Sequence, residues 1–283
     1  MTAGLWILRR RDSERNAEHA VLAVSSLLFA ASTTLTIVWC ASMSAMGGML
    51  MPGGWTMSMA WMRMPEQTWA SAAASLLGMW VVMMVAMMLP SLVPMLWRYR
   101  EAVACAAETR LGLLTALVGM GYVCVWTLAG MVAIPLGFAL AEAEMRLPGL
   151  SRAVPIAAGV IVTIAGAGQF TAWKAHHLAC CRELSVYARE FPRELRRDRT
   201  LPADARTAWR HGMRLGLHCS YCSAGLTTIL LVMGIMDLRV MAVVTTAMTA
   251  ERLAPAGERV ARAIGVLVVC AGVLLLARAA GLQ

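Results

Sequence analysis

The chain has 283 residues, of which 59% are apolar and only 14% charged, whereas soluble domains run near ~25% charged. That composition excludes an ordinary soluble domain. The formal net charge of +9 comes without the basic–aromatic patterning or the modules of nucleic-acid recognition, so nucleic acid is excluded as a partner.

A membrane-spanning helix needs about 20 predominantly apolar residues. In chain order, blocks that meet or approach this run from Val21 to Met43, Trp69 to Trp97, Leu111 to Ala141, Ala153 to Trp173, Leu215 to Met236, and Ala263 to Gly281. A shorter block, Val240 to Ala250, is read as a tilted or short span, with a re-entrant segment as the alternative. The expected fold class is all-α: one polytopic transmembrane helix bundle of about seven spans. The first block is a true span rather than a signal peptide. It exceeds a signal h-region in length, ends without a small-residue cleavage pattern, and follows a start in which acidic residues are mixed with the arginines.

Basic residues set the orientation, because Lys and Arg accumulate on the cytoplasmic side. With the N-terminus inside and all seven blocks crossing, 20 of the 25 basic residues fall inside. Dropping the short block would move Arg252, Arg259 and Arg262 outside. The expected location is therefore the bacterial inner membrane, multi-pass and lipid-embedded. A methionine-rich external loop spans 43–66, and a basic cytoplasmic loop spans 174–214, with one or two interfacial helices expected in it.

Methionine is abundant, at 23 residues. Eight lie between Met43 and Met64, among glycines and prolines that preclude a continuous helix. They include the pairs Met49/Met51, Met57/Met59 and Met62/Met64. Exposed thioethers are soft ligands that favour Cu(I) over hard cations, so copper capture stands beside an apolar membrane-surface loop. In the next span, Met84, Met87 and Met88 share one helical face, as packing or as a ligand ladder. Pro90 and Pro94 are expected to end or kink that helix.

Two further segments concentrate ligand chemistry. His176, His177, Cys180 and Cys181 lie at the inner end of the fourth span, and His211, His218, Cys219 and Cys222 enter the fifth. His218 and Cys222 are i, i+4, so they stack on one face. His211 could join them only if the helix broke near Gly212 or Gly216. Imidazole and thiolate are the usual ligands of zinc and copper, and ionisable groups within a membrane are costly and usually functional. The remaining cysteines, Cys40, Cys105, Cys124 and Cys270, read as small hydrophobes. Glu251 either neutralises Arg252 or Lys174 or serves as a carboxylate ligand. Lys174 is the only lysine in the chain. Asp237 reads as merely solvated. No phosphate-binding loop, dinucleotide fingerprint or H-E-x-x-H pattern is present.

The strings MWVVMMVAMMLPSLVPM (Met79 to Met95), GYVCVW (Gly121 to Trp126), AGAGQFTAWKAHHLACCR (Ala165 to Arg182), GLHCSYC (Gly216 to Cys222) and GIMDLRVM…TAER (Gly234 to Arg252) resemble the DUF2182 family of predicted metal-binding integral membrane proteins. The resemblance runs from about Met43 to Glu251. It implies a pattern K-x-x-C-L-x-x-C-R, matched here at Lys174, Leu178, Cys181 and Arg182, with His177 in the first cysteine position. It also implies C-x-G-C-C-W. Cys219 and Cys222 match, while Tyr221, Ser223 and Ala224 depart, which points to mixed nitrogen and sulfur ligation or a different metal.

The leading expectation is a membrane protein that handles or transports copper, with zinc or another transition metal as alternatives. Met57, Met59, Met62 and Met64 would capture the ion, and Met84, Met87 and Met88 would relay it. An inner site would use His177, Cys181, His218 and Cys222, with His176, Cys180, Cys219 and Glu251 as further candidates. The alternative is a metal-dependent membrane oxidoreductase or a subunit of one. A third reading is a structural partner of a membrane complex or oligomer.

Overall fold

A computed structural model describes residues 2–63, 67–103, 110–183 and 204–281, with the side chains of 2–18, 182 and 183 left out of that description. Met64, Cys105, the side chain of Arg182 and residues 184–203 of the basic loop lie outside the described residues. Eight α-helices follow one another: α1 (Thr2–Ala45), α2 (Trp69–Val103), α3 (Leu111–Arg146), α4 (Pro148–Gly168), α5 (Ala172–Glu183), α6 (Ala205–Met233), α7 (Leu238–Leu253) and α8 (Gly257–Ala279). A two-stranded antiparallel hairpin, β1 (Gly48–Leu50) and β2 (Thr56–Ser58), joins α1 to α2. Among the described residues six helices are long and apolar enough to cross a membrane: the His19–Ala45 part of α1, α2, α3, α4, α6 and α8.

The short block becomes α7, a helix of 16 residues. At 1.5 Å per residue it is about 24 Å long, less than the ~30 Å hydrocarbon core. Asp237, expected to be merely solvated, caps it: its Oδ1 accepts from the backbone N–H groups of Arg239 and Val240 at 2.7 and 3.3 Å. The fourth block divides. Helix α4 stops at Gly168, a turn covers 169–171, and Thr171 Oγ1 accepts from the N–H of Lys174 to start α5. Pro90 and Pro94 do not end α2, which continues to Val103. Pro90 cannot supply the N–H that Ala86 would receive in a regular helix. Next to it, Ser91 Oγ donates to the carbonyl of Met88 at 3.0 Å.

The core is built around α2, whose Met79, Trp80, Met83, Met84, Met87 and Met88 are all buried. Trp80 Nε1 donates to the Trp126 carbonyl at 2.9 Å and ties α2 to α3. Helices α3 and α6 approach backbone to backbone. A Cβ on Gly212 would strike the carbonyl of Val118, and one on Gly121 would lie 2.6 Å from the carbonyl of Trp209. Small residues permit such contact where the solvent is lipid and close van der Waals packing drives association. Helix α6 is therefore unbroken across Gly212 and Gly216. Those glycines exist for packing and do not make a hinge. Helices α4 and α8 close together in the same way through Gly159, Gly166 and Gly272. By contrast α1 leaves Leu27, Leu28 and Val38 exposed, as an all-round apolar helix facing lipid does.

Gly212→Ala should destabilise the protein by about 1–3 kcal/mol, the usual cost of overpacking. Gly119→Ala, which meets nothing within 4 Å, should be neutral or mildly stabilising. Thermal unfolding of both variants in the same detergent checks this pair; equal midpoints would remove close α3–α6 contact as a stability determinant.

Candidate metal site

The methionine segment after α1 is largely fixed. Met49 pairs with Met57 across the hairpin, and Gly53 and Gly54 take positive φ in its turn. Trp55 Nε1 donates to the Ser151 carbonyl at 2.9 Å, and Ser151 Oγ donates to the Pro52 carbonyl at 3.0 Å. These bonds dock the hairpin on the start of α4. Met51 and Met57 are only 5% and 3% exposed and pack with Ala141, so they are not the flexible exposed thioethers expected from the sequence. Met59 and Met62 are half-buried, and among the described methionines of the segment Met46 and Met49 are exposed. From there a buried stripe of thioethers descends α2. Met88 lies 19 residues beyond Trp69, about 28 Å along the helix.

At Met88 four elements converge. Helix α6 turns Gly212, Gly216 and Cys219 toward α3, which brings Cys219 Sγ to 2.7 Å from Tyr122 Oη and 3.9 Å from Met88 Sδ. One turn around, Cys222 Sγ lies 3.6 Å from Cys181 Sγ of α5. Helix α7 delivers Arg252, whose Nη1 donates to Ser91 Oγ at 2.9 Å and approaches Met88 Sδ at 3.6 Å. Its Nη2 lies 3.4 Å from the Cys219 carbonyl and 3.5 Å from Cys222 Sγ. Cys181, Cys219 and Cys222 are each no more than 2% exposed.

Beside the sulfurs, Lys174 Nζ forms an ion pair with Glu251 Oε2 at 2.6 Å and donates to the Cys222 carbonyl. Glu251 therefore neutralises Lys174 and not Arg252. Both side chains are buried, so the pair must be kept whole. Removing one partner of a buried pair typically costs about 3–5 kcal/mol, whereas an apolar pair of similar volume is often tolerated. Lys174→Met should accordingly lower the thermal midpoint sharply, and Lys174→Met combined with Glu251→Leu should recover most of it. A single variant as stable as the parent would show that the pair is not a structural element.

The histidines form a separate group. The rings of His177 and His218 lie 5.8 Å apart, with Tyr221 5.2 Å, Trp173 4.7 Å and His176 5.3 Å from His177. Burial first, then the charges of His176 and His218, hold the His177 imidazole below its ordinary range. The buried Nδ1 atoms of His177 and His218 have no hydrogen-bond partner. His176 Nε2 contacts Cys180 Sγ at 3.6 Å. His211 stacks on Tyr99 at 5.3 Å and belongs to neither group. Among the described residues no three or more His, Cys, Asp or Glu side chains converge as a metal-holding group. His177, Cys181, His218 and Cys222 thus divide into a thiol pair and an imidazole pair. Met84 lines a small apolar cavity with Met88, Tyr122 and Trp126. Met87 is buried in the same core.

Tyr122 and Ser91 are the members of the sulfur site that sequence reasoning gave no role, and Arg252 was read only as a possible partner of Glu251. Tyr122 lay in the GYVCVW string and Ser91 in MWVVMMVAMMLPSLVPM, so the signal was present as unassigned motif residues.

The architecture defines a multi-pass helical membrane protein with thiols and thioethers buried at its core. More particularly, residues 77–275 match the model of the PpoB2 family, described as copper chaperone, and the chain belongs to that family. The match supports the copper-related part of the motif resemblance and not its family name. No curated protein and no solved structure matches the chain.

Proposed function

We propose that this protein is a membrane-embedded copper chaperone that holds its ion at Cys181 and Cys222, with Met88 and Cys219 alongside. The observation that carries the reading is the 3.6 Å separation of the two thiol sulfurs at the foot of the α2 thioether stripe. Two sulfurs that far apart, each at a metal–sulfur distance of ~2.3 Å, subtend an angle of about 100°. That bent geometry leaves a side open to a third soft donor, and Met88, which shares the Arg252 guanidinium with Cys222, is our candidate for it. In this reading copper is cargo: it enters at the exposed Met46 and Met49 of the hairpin, passes Met84 and Met87, and reaches the thiols.

The arrangement suits carriage because its sulfur donors bind more firmly from the hairpin to the thiols. Thioethers bind a cuprous ion weakly and exchange it readily, while thiolates hold it more firmly. The imidazole pair offers a second, separate set of donors toward which the ion could be released to an acceptor. The positive-inside distribution puts the thiol end toward the cytoplasm and the hairpin toward the outside.

Protein loaded with Cu(I) without oxygen, then desalted and analysed for metal, should retain copper stoichiometrically. Cys181→Ser with Cys222→Ser should lose it, and His211→Ala should keep it. Met84→Leu with Met87→Leu should keep the final stoichiometry but slow loading. Unchanged copper in the double cysteine variant would place the ion elsewhere.

A further inference from the structure

We infer that Arg252 is the permanent counter-charge of the thiol pair and makes the site specific for a monovalent soft ion, Cu(I) or Ag(I), held as an anionic bis-thiolate complex. This rests on the copper reading of Cys181 and Cys222 and adds the charge and oxidation state of the ion they accept.

Arg252 is 6% exposed, and a guanidinium keeps its charge in any protein environment. A buried cation must be answered by negative charge or by well-placed dipoles. Among the described residues no carboxylate lies within ion-pair distance of it, because the neighbouring Glu251 is directed to Lys174 at 2.6 Å. Its closest contacts are one hydroxyl, one carbonyl, one thioether and the thiol of Cys222, and the thiol of Cys219 lies near it as well. Two of the four closest contacts are sulfur, and Cys222 is the only one of the four that can carry a full negative charge.

Charge counting then selects the ion. Lys174 and Glu251 cancel each other, which leaves one positive charge on Arg252. A monovalent ion between the thiolates of Cys181 and Cys222 gives a complex with one negative charge, and the bundle interior becomes neutral. A divalent ion on the same two thiolates would leave the positive charge of Arg252 uncompensated. Three thiolates would restore the balance for a divalent ion. However, Cys219 is turned to Tyr122 Oη at 2.7 Å, and no three-ligand group converges there. Zinc also wants four ligands in a tetrahedral set, whereas the thiol pair and Met88 supply a low-coordinate, all-sulfur environment suited to a soft monovalent ion. Ser91 and the Cys219 carbonyl fix the guanidinium from α2 and α6, so Arg252 is a positioning residue that acts through its contact with Cys222.

The test titrates the full-length protein in detergent, without oxygen, with Cu(I), Ag(I) and Zn(II), each against a competing chelator of known affinity. The parent should bind Cu(I) and Ag(I) and leave Zn(II) with the chelator. Arg252→Gln should weaken Cu(I) binding by about 10–100-fold, the usual effect of losing a partner of a metal ligand. It should also narrow the Cu(I)-over-Zn(II) preference, a ratio that a merely structural loss would leave unmoved. Arg252→Lys, which keeps the charge, should hold most of the preference and serves as the working comparison where Arg252→Gln does not fold. Equal Cu(I) affinity in parent and Arg252→Gln would overturn the inference while leaving the thiol site intact, as would a parent that takes Zn(II) as tightly as Cu(I). A parent that binds no Cu(I) at all would overturn the underlying copper reading as well.

Discussion

A guanidinium buried inside an apolar bundle is the constraint on which the rest of this structure depends. Arg252 sits where α2, α6 and α7 meet, and its two amino groups reach Ser91, Met88, the Cys219 carbonyl and Cys222. Each contact fixes a helix. Met88 and Ser91 hold the middle of α2 across its prolines, Cys219 and Cys222 hold the register of α6, and Arg252 anchors the end of α7. An arginine in that position is expensive unless its surroundings are polar or anionic, so the placement of the sulfurs and the placement of the charge are one problem with one solution.

The glycines of α3 and α6 make that solution reachable. Without backbone contact at Gly121 and Gly212, Cys219 could not lie 2.7 Å from Tyr122. The ion pair of Lys174 and Glu251 adds the last piece, because it brings α5 against α6 and α7 and sets Cys181 opposite Cys222. Close packing, a paired charge and an unpaired charge thus cooperate to bring α2, α3, α5, α6 and α7 to one cluster of soft sulfur.

Much of the fold was legible in the chain. The apolar blocks translated into six long helices, since segments of ~20 apolar residues have few alternatives in lipid. The turn at 169–171 was hidden because the run of apolar residues carries on past it through Phe170, Ala172 and Trp173. Pro90 and Pro94 do not end α2, which runs through both to Val103, as prolines within membrane helices are tolerated. At the site, i, i+4 spacing put His218 and Cys222 on one helical face. It could not show that the thiols would meet at one level and the imidazoles at another, because that depends on how α5 docks on α6. The role of Arg252 was illegible for a similar reason: adjacency to Glu251 suggested an ion pair, and only the docking of α5 shows Lys174 occupying that carboxylate. The hairpin methionines looked exposed because glycine and proline around them signal loops; the bond from Trp55 to Ser151, 96 residues away, is what buries Met51 and Met57.

X-ray absorption at the copper edge of the Cu(I)-loaded protein tests the sulfur site most directly. An all-sulfur shell of two or three scatterers at about 2.3 Å, the distance typical of metal–thiolate bonds, is the expected result. A shell dominated by nitrogen from His177 and His218 would contradict it.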